Sequence, residues 1–133
     1  MTQPRDDEFR PIRAYGLRPG IEIRETDDAF TLTFSRAALS FEVTVACSAL
    51  EWFVEIGDER AGLRFKDWCD YVGYDKRPRV ELVGEMTEHL HALMSALLSG
   101  DFRLLKGATW LHPSDRCEWR VDGRWAEFNY GET

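Results

Sequence analysis

The chain has 133 residues, of which 44% are hydrophobic and 13% aromatic, and its formal net charge is −7. So many apolar side chains exclude a disordered chain, and the length predicts one folded domain. The acidic charge disfavours nucleic acid as the main ligand, because phosphate binding requires clustered Lys and Arg. It favours a basic partner, or it serves only to keep the protein in solution.

We expect a soluble, cytoplasmic protein without a membrane segment. The apolar runs are far shorter than the ~18 residues that a spanning helix needs, and residues 1–13 lack the apolar core of a secretory signal peptide. The three cysteines are odd in number and widely spaced, whereas disulfide frameworks and zinc sites use paired spacings. We therefore predict no metal, no cofactor and reduced, structural thiols at Cys47, Cys69 and Cys117.

The N-terminal part of the chain predicts an arm followed by strands. Residues 1–17 contain prolines and balanced charge without an apolar period, so we predict a flexible arm there and a single domain over residues 18–133. Alternation of apolar and polar side chains then predicts half-buried strands over residues 21–24, 30–35, 39–47 and 50–56.

A turn at residues 57–62 leads to a less regular stretch. Leu63 and Phe65 resume the inward face, but continued alternation would place Asp67 and Cys69 inward and Trp68 outward. Because this exchanges the expected roles of these side chains, we predict a β-bulge or a strand end at residues 66–68.

One long amphipathic helix is predicted over residues 78–99. Its apolar side chains form a stripe somewhat over 100° wide that would cover the core. Pro78 suits a first helical turn, and Gly100 suits the left-handed residue beyond the end.

The chain closes with a predicted strand at residues 102–105 and a ββ hairpin. Asp122 and Gly123 form the dipeptide that a type I′ turn requires, which places Glu118 opposite Glu127 and Arg120 opposite Trp125. Short turns between strands imply antiparallel pairing. The predicted fold is therefore α+β, a curved antiparallel sheet of about six to eight strands packed against one long helix.

The carboxylates Glu118 and Glu127 are a candidate site, since two like charges directly opposed on a hairpin cost stability unless they are countered. Diagonal pairing with Arg116 and Arg120 is one interpretation. The other is an acidic clamp for a cation or a basic partner, or a carboxylate pair for acid–base chemistry.

The stretch over residues 50–75 is the stronger lead, because it interleaves six aromatic residues with seven carboxylates. Exposed aromatic side chains supply contact area, and a carboxylate rim selects cationic partners. Alternation assigns Trp52 and Phe65 to the core. The predicted partner-binding residues are Glu51, Phe53, Glu55, Asp58, Glu59, Trp68, Asp70, Tyr71 and Tyr74.

These signals favour a non-enzymatic protein-binding module with a basic partner, and one concrete version is a toxin-neutralising immunity protein of bacterial type. No nucleophile motif or glycine-rich phosphate loop occurs, and His89 and His91 lie about 200° apart on the helix, too far round to chelate one ion. The alternative is a small-molecule-binding protein or small enzyme with a pocket between sheet and helix. A third hypothesis is an assembly subunit.

Overall fold

The structure is a computed structural model that describes residues 8–71, 76–107, 110 and 114–127. Within these residues the fold is α+β, as the sequence predicts. The elements are a short helix α1 (Arg10–Arg13), a 3-10 turn (Ala14–Leu17), and then β1 (Glu22–Glu25), β2 (Ala29–Arg36), β3 (Leu39–Ala46), β4 (Glu51–Asp58), β5 (Leu63–Asp70), the long helix α2 (Arg79–Ser99), β6 (Phe102–Leu105), β7 (Arg116–Val121) and β8 (Arg124–Glu127).

The described strands lie in two antiparallel sheets, so the prediction of one sheet of six to eight strands is wrong. Strands β1 to β5 form a five-stranded meander in chain order, and β6 to β8 form a separate three-stranded sheet. The backbone N–H of Arg64 donates to the Asp115 carboxylate at 2.7 Å, so an aspartate occupies a position where another strand would bond.

The core lies between the inner face of the five-stranded sheet and the stripe of α2. Strands β2, β3 and β4 bury alternate side chains, as their alternation predicts. Phe41 links the two sheets, since its ring stacks on Phe34 at 4.7 Å and meets Phe102 edge-on at 5.6 Å. The helix contributes its buried stripe: Leu82, Met86, Leu90, Leu93, Met94 and Leu97.

The ends of α2 match the predicted boundaries within one residue. Pro78 is the residue that precedes the first turn, and Gly100 has φ 79°, the left-handed conformation that glycine adopts without strain. Arg36 donates from Nη1 to the carbonyl of Leu98 at 2.8 Å. A basic side chain thus satisfies a carbonyl that the helix leaves open at its C-terminal end.

Residues 8–17 of the predicted arm pack onto this core. Phe9 and Ile12 are fully buried and belong to the same apolar cluster as the sheet and helix. The Arg79 guanidinium binds both carboxylate oxygens of Glu8 at 3.0 Å and also donates to the carbonyl of Cys47 at 2.8 Å. The mobility of the arm stays a prediction.

The bulge expected at residues 66–68 is absent, because β4 and β5 pair one-to-one from Glu51 opposite Asp70 to Asp58 opposite Leu63. Alternation therefore continues, with Asp67 and Cys69 on the inner side and Trp68 outside. The inner side is only partly covered here, since both Asp67 and Cys69 are half-buried. That partial exposure permits a carboxylate at a position that alternation assigns to the core.

The C-terminal hairpin has the predicted register, with Glu118 opposite Glu127 and Arg120 opposite Trp125. Asp122 and Gly123 both have positive φ, 51° and 77°. Those values are the ones a two-residue type I′ turn requires. In the part of the chain that the structure describes, no helix is long and apolar enough to cross a membrane.

Asp115 generates a pH-dependent prediction. Backbone hydrogen bonds from Arg64 and Gly107 hold the pKa of its carboxyl below the ordinary value. These bonds therefore stabilise the fold fully above the pKa that an aspartate has in the unfolded chain, about 3.9. The stabilisation is lost as the pH falls through the lower pKa of Asp115 in the folded protein. We expect Asp115→Asn to reduce the free energy of unfolding at pH 7, and the difference from wild type to shrink toward pH 2.

Urea denaturation at a series of pH values measures this difference. Asp27→Asn is the matched control, because Asp27 is exposed and should show little difference at any pH. An Asp115→Asn deficit that stays constant from pH 7 to pH 2 would contradict the charge-assisted link between the sheets.

Candidate functional site

The candidate site is the open face of the five-stranded sheet, the side turned away from α2. Phe53 and Trp68 lie directly opposite each other across β4 and β5. Their exposed fractions are 43% and 49%. We call these two side chains the aromatic pair. Thr44 of β3 continues their row beside Phe53, so a small polar side chain borders the pair.

Carboxylates border the aromatic pair on both sides along the strands. On β4, Glu51 comes two residues before Phe53 and lies opposite Asp70 of β5. Glu55 comes two residues after Phe53 and lies between Glu42 of β3 and Lys66 of β5. The open face therefore alternates an acidic row, an aromatic row and a second acidic row.

Glu42 and Glu55 are like charges directly opposed, an arrangement that costs stability unless a cation counters it. Arg64 forms an ion pair with Glu55. Lys66 lies on the side of Glu55 away from Glu42. Glu42 is exposed, and its carboxylate forms no ion pair or hydrogen bond with any described residue. Its charge is thus available to a ligand.

Two shallow hollows meet at these carboxylates. One, of about 340 Å³, lies over the aromatic pair and Thr44. The other, of about 720 Å³, is lined by the hydroxyls of Thr33, Ser35 and Ser40. Both hollows include Glu42 and Glu55 in their walls. The open face is therefore one groove with an apolar end, an acidic middle and a hydroxyl-rich end.

Five of the predicted binding residues share the open face: Glu51, Phe53, Glu55, Trp68 and Asp70. Asp58 and Glu59 lie at the end of β4 and in the turn that follows. The Asp58 carboxylate accepts hydrogen bonds from the backbone N–H groups of Arg60 and Ala61, at 3.1 and 3.2 Å. Asp58 therefore shapes the turn.

Tyr71 does not share this surface, because it is buried. The indole Nε1–H of Trp52 donates to the Tyr71 hydroxyl at 3.0 Å. The same hydroxyl is hydrogen-bonded to Nδ1 of His89, 2.6 Å away. The expectation of an exposed Tyr71 is wrong because no bulge interrupts β5, so Tyr71 follows Cys69 onto the inner side. Tyr74 lies outside the described residues.

Glu118 and Glu127 are opposed as predicted, but Glu118 is countered by a residue that the sequence analysis did not consider. Arg103 of β6 donates to Glu118 Oε1 from Nε at 2.7 Å and lies 2.6 Å away through Nη2. The guanidinium carbons of Arg103 and Arg120 lie 4.3 and 4.9 Å from the centre of the Trp125 ring. This network gives Glu118 an ion-pair role within the small sheet.

The groove includes residues that sequence reasoning missed: Thr33, Ser35, Ser40, Glu42, Thr44, Arg64 and Lys66. Alternation already placed Glu42 and Thr44 on the outer face of their strand. The missing information was the register between β3 and β4, since only the pairing shows that Glu42 opposes Glu55.

One gap between sheet and helix is closed, and the alternative hypothesis of a pocket there stays a prediction. The gap bounded by Ile56, Leu93, Leu97, Phe102 and Trp119 leaves no room for a water molecule. Across the described residues no group of three or more His, Cys, Asp or Glu side chains could hold a metal ion. His89 and His91 contact different tyrosines, Tyr71 and Tyr15.

The surroundings of the three cysteine thiols favour structural roles. Burial raises the pKa of Cys117 to about 12, with Glu118 and Asp67 adding to the effect. Burial also raises the pKa values of Cys47 and Cys69. All three are free cysteines. A raised pKa keeps a thiol protonated, so these groups are poor nucleophiles at neutral pH.

In comparisons with known proteins, no family model, no curated protein and no solved structure matches this chain.

The buried Tyr71 hydroxyl generates a stability prediction. Tyr71→Phe removes the acceptor of the fully buried Trp52 indole N–H. Loss of such a buried bond costs about 1–3 kcal/mol, so we expect the free energy of unfolding to fall by that amount in urea denaturation. The matched variant Tyr15→Phe removes a hydroxyl bonded to half-buried His91, which water can replace. A larger loss for Tyr15→Phe than for Tyr71→Phe would contradict this ranking.

Proposed function

We propose that this protein is a non-enzymatic protein-binding module whose open face holds a partner with a basic surface. The observation that carries the proposal is the exposed aromatic pair, set in a shallow hollow between two acidic rows. Nothing in the packing of the core against α2 requires Phe53 or Trp68 to be aromatic, because both point away from it.

The apolar contribution to binding would come from the aromatic pair. Phe and Trp each present on the order of 200 Å² of surface, and about half of each is exposed here. Covering that area at ~25 cal/mol per Å² contributes a few kcal/mol before the costs of association. Aromatic anchors of this kind carry much of the energy in protein interfaces.

The charge of the protein supports a basic partner. The net charge of −7 attracts cationic surfaces over a Debye length. Glu42 supplies a local carboxylate with no ion pair among the described residues. Complementary charges mainly raise the association rate and select between partners. A toxin-neutralising immunity protein of bacterial type is one concrete form of such a module, since it acts by covering another protein.

The test compares capture of proteins by three immobilised forms: wild type, Phe53→Thr/Trp68→Thr, and the control Trp110→Thr. Trp110 is 86% exposed and does not line the groove, so the control removes an exposed aromatic elsewhere. We expect a partner that wild type and the control retain and the double variant loses. Raising NaCl from about 0.05 to about 0.5 M should release it, because salt screens exposed charges.

Equal capture by all three forms would contradict binding through the open face. Capture that is insensitive to salt would contradict the basic partner. Capture of nothing by wild type, with the source organism's own proteins as the mixture, would contradict a protein-binding function.

A further inference from the structure

We infer that the groove holds an extended segment of the partner, with a large apolar side chain over the aromatic pair and an Arg or Lys two positions away between Glu42 and Glu55. This inference rests on the proposed function and specifies the occupant of the same site. It is argued from the spacing of the rows, the uncountered charge of Glu42 and the hydroxyl lining of the larger hollow.

The spacing follows from strand geometry. Side chains two residues apart on a strand project from the same face about 6.6–6.8 Å apart. The step from Phe53 to Glu55 on β4, and from Thr44 to Glu42 on β3, is one such repeat. An extended ligand chain has the same repeat. An apolar side chain at one position and a cation two positions later would therefore match the aromatic and acidic rows.

The carboxylates of Glu42 and Glu55, where the two hollows meet, favour a cation at the second position of the bound segment. Arg64 counters only Glu55, and Glu42 has no ion pair with a described residue. An Arg or Lys side chain placed between the two carboxylates would relieve the repulsion of the directly opposed pair. A guanidinium could donate to both carboxylates at once.

The hydroxyl-rich hollow favours an extended segment over a helix. Thr33, Ser35 and Ser40 line its wall, and hydroxyls both donate and accept hydrogen bonds. An extended chain has free backbone N–H and C=O groups that need such partners, whereas a helix satisfies its own backbone internally. The hollow is thus suited to the continuation of an extended chain beyond the cation.

A second copy of this chain is a poorer fit to the face. Two copies that met through their open faces would each present the Glu51 and Asp70 pair and the Glu42 and Glu55 pair. Each chain also carries a net charge of −7. Like-charge juxtaposition at an interface costs several kcal/mol, which disfavours self-association here.

The test titrates capped peptides into the isotopically labelled full chain and follows backbone amide shifts by NMR at low salt. The probe peptide is Thr-Thr-Leu-Thr-Arg-Thr-Thr. One control places Glu where the probe has Arg, and another places Arg next to Leu so that the two side chains point to opposite faces. We expect saturable shifts from the probe at residues 42–44, 53–55 and 66–68, with a dissociation constant on the order of 1 mM.

Glu42→Gln should weaken binding of the probe about twofold to fivefold, as loss of an exposed ion pair does. The control Glu88→Gln removes the same charge from an exposed position on α2, outside the groove, and should leave the constant unchanged. No saturable shift, equal binding of a control peptide, or equal effects of the two variants would overturn the inference. Shifts at these residues that depend on protein concentration without peptide would assign the face to a second copy.

The experiments distinguish a failure of the extended-segment inference from a failure of the proposed protein-binding function. A partner captured by wild type and lost by Phe53→Thr/Trp68→Thr, together with peptides that do not bind, would overturn the extended segment and leave the protein-binding function standing.

Discussion

A hydrogen-bonded chain runs from Trp52 through Tyr71 to His89 inside the core. It ties β4, the end of β5 and α2 together inside the core, because Trp52 donates to Tyr71 and Tyr71 lies against His89. Trp52 is fully buried, so the inward direction of every second residue on β4 is set. Since side chains alternate along a strand, Phe53 must then face outward. The core that holds the sheet on the helix thus also determines the open face.

Much of the fold could be predicted because its signals are local. Alternation placed strands β2 to β4, the apolar stripe placed α2, and Asp122 with Gly123 set the hairpin register. The division into two sheets could not be predicted, because alternation identifies strands but does not show which strands pair. The burial of Phe9 and Ile12 was missed for a similar reason, since a four-residue helix such as α1 has too few residues to display a period.

The candidate site could be predicted in part. Alternation on β4 gave Glu51, Phe53 and Glu55 a shared face, and those positions depend on local geometry alone. Glu42 was missed because its role depends on the register between β3 and β4, a contact between strands. Tyr71 was misplaced because a bulge was expected at residues 66–68. Without a bulge, alternation continues past Cys69 and places Tyr71 on the inner side, where its hydroxyl meets the indole of Trp52.

We expect the aromatic pair to contribute to a binding surface and comparatively little to the stability of the fold. The most direct measurement is the free energy of unfolding of Phe53→Thr/Trp68→Thr by urea denaturation. We predict a loss of about 1–2 kcal/mol, because Thr favours strands while a cross-strand contact and the covered part of each ring are lost. A loss of about 6 kcal/mol or more, the cost of truncating two buried aromatic side chains at about 3 kcal/mol each, would contradict this expectation and show that these rings belong to a packed core.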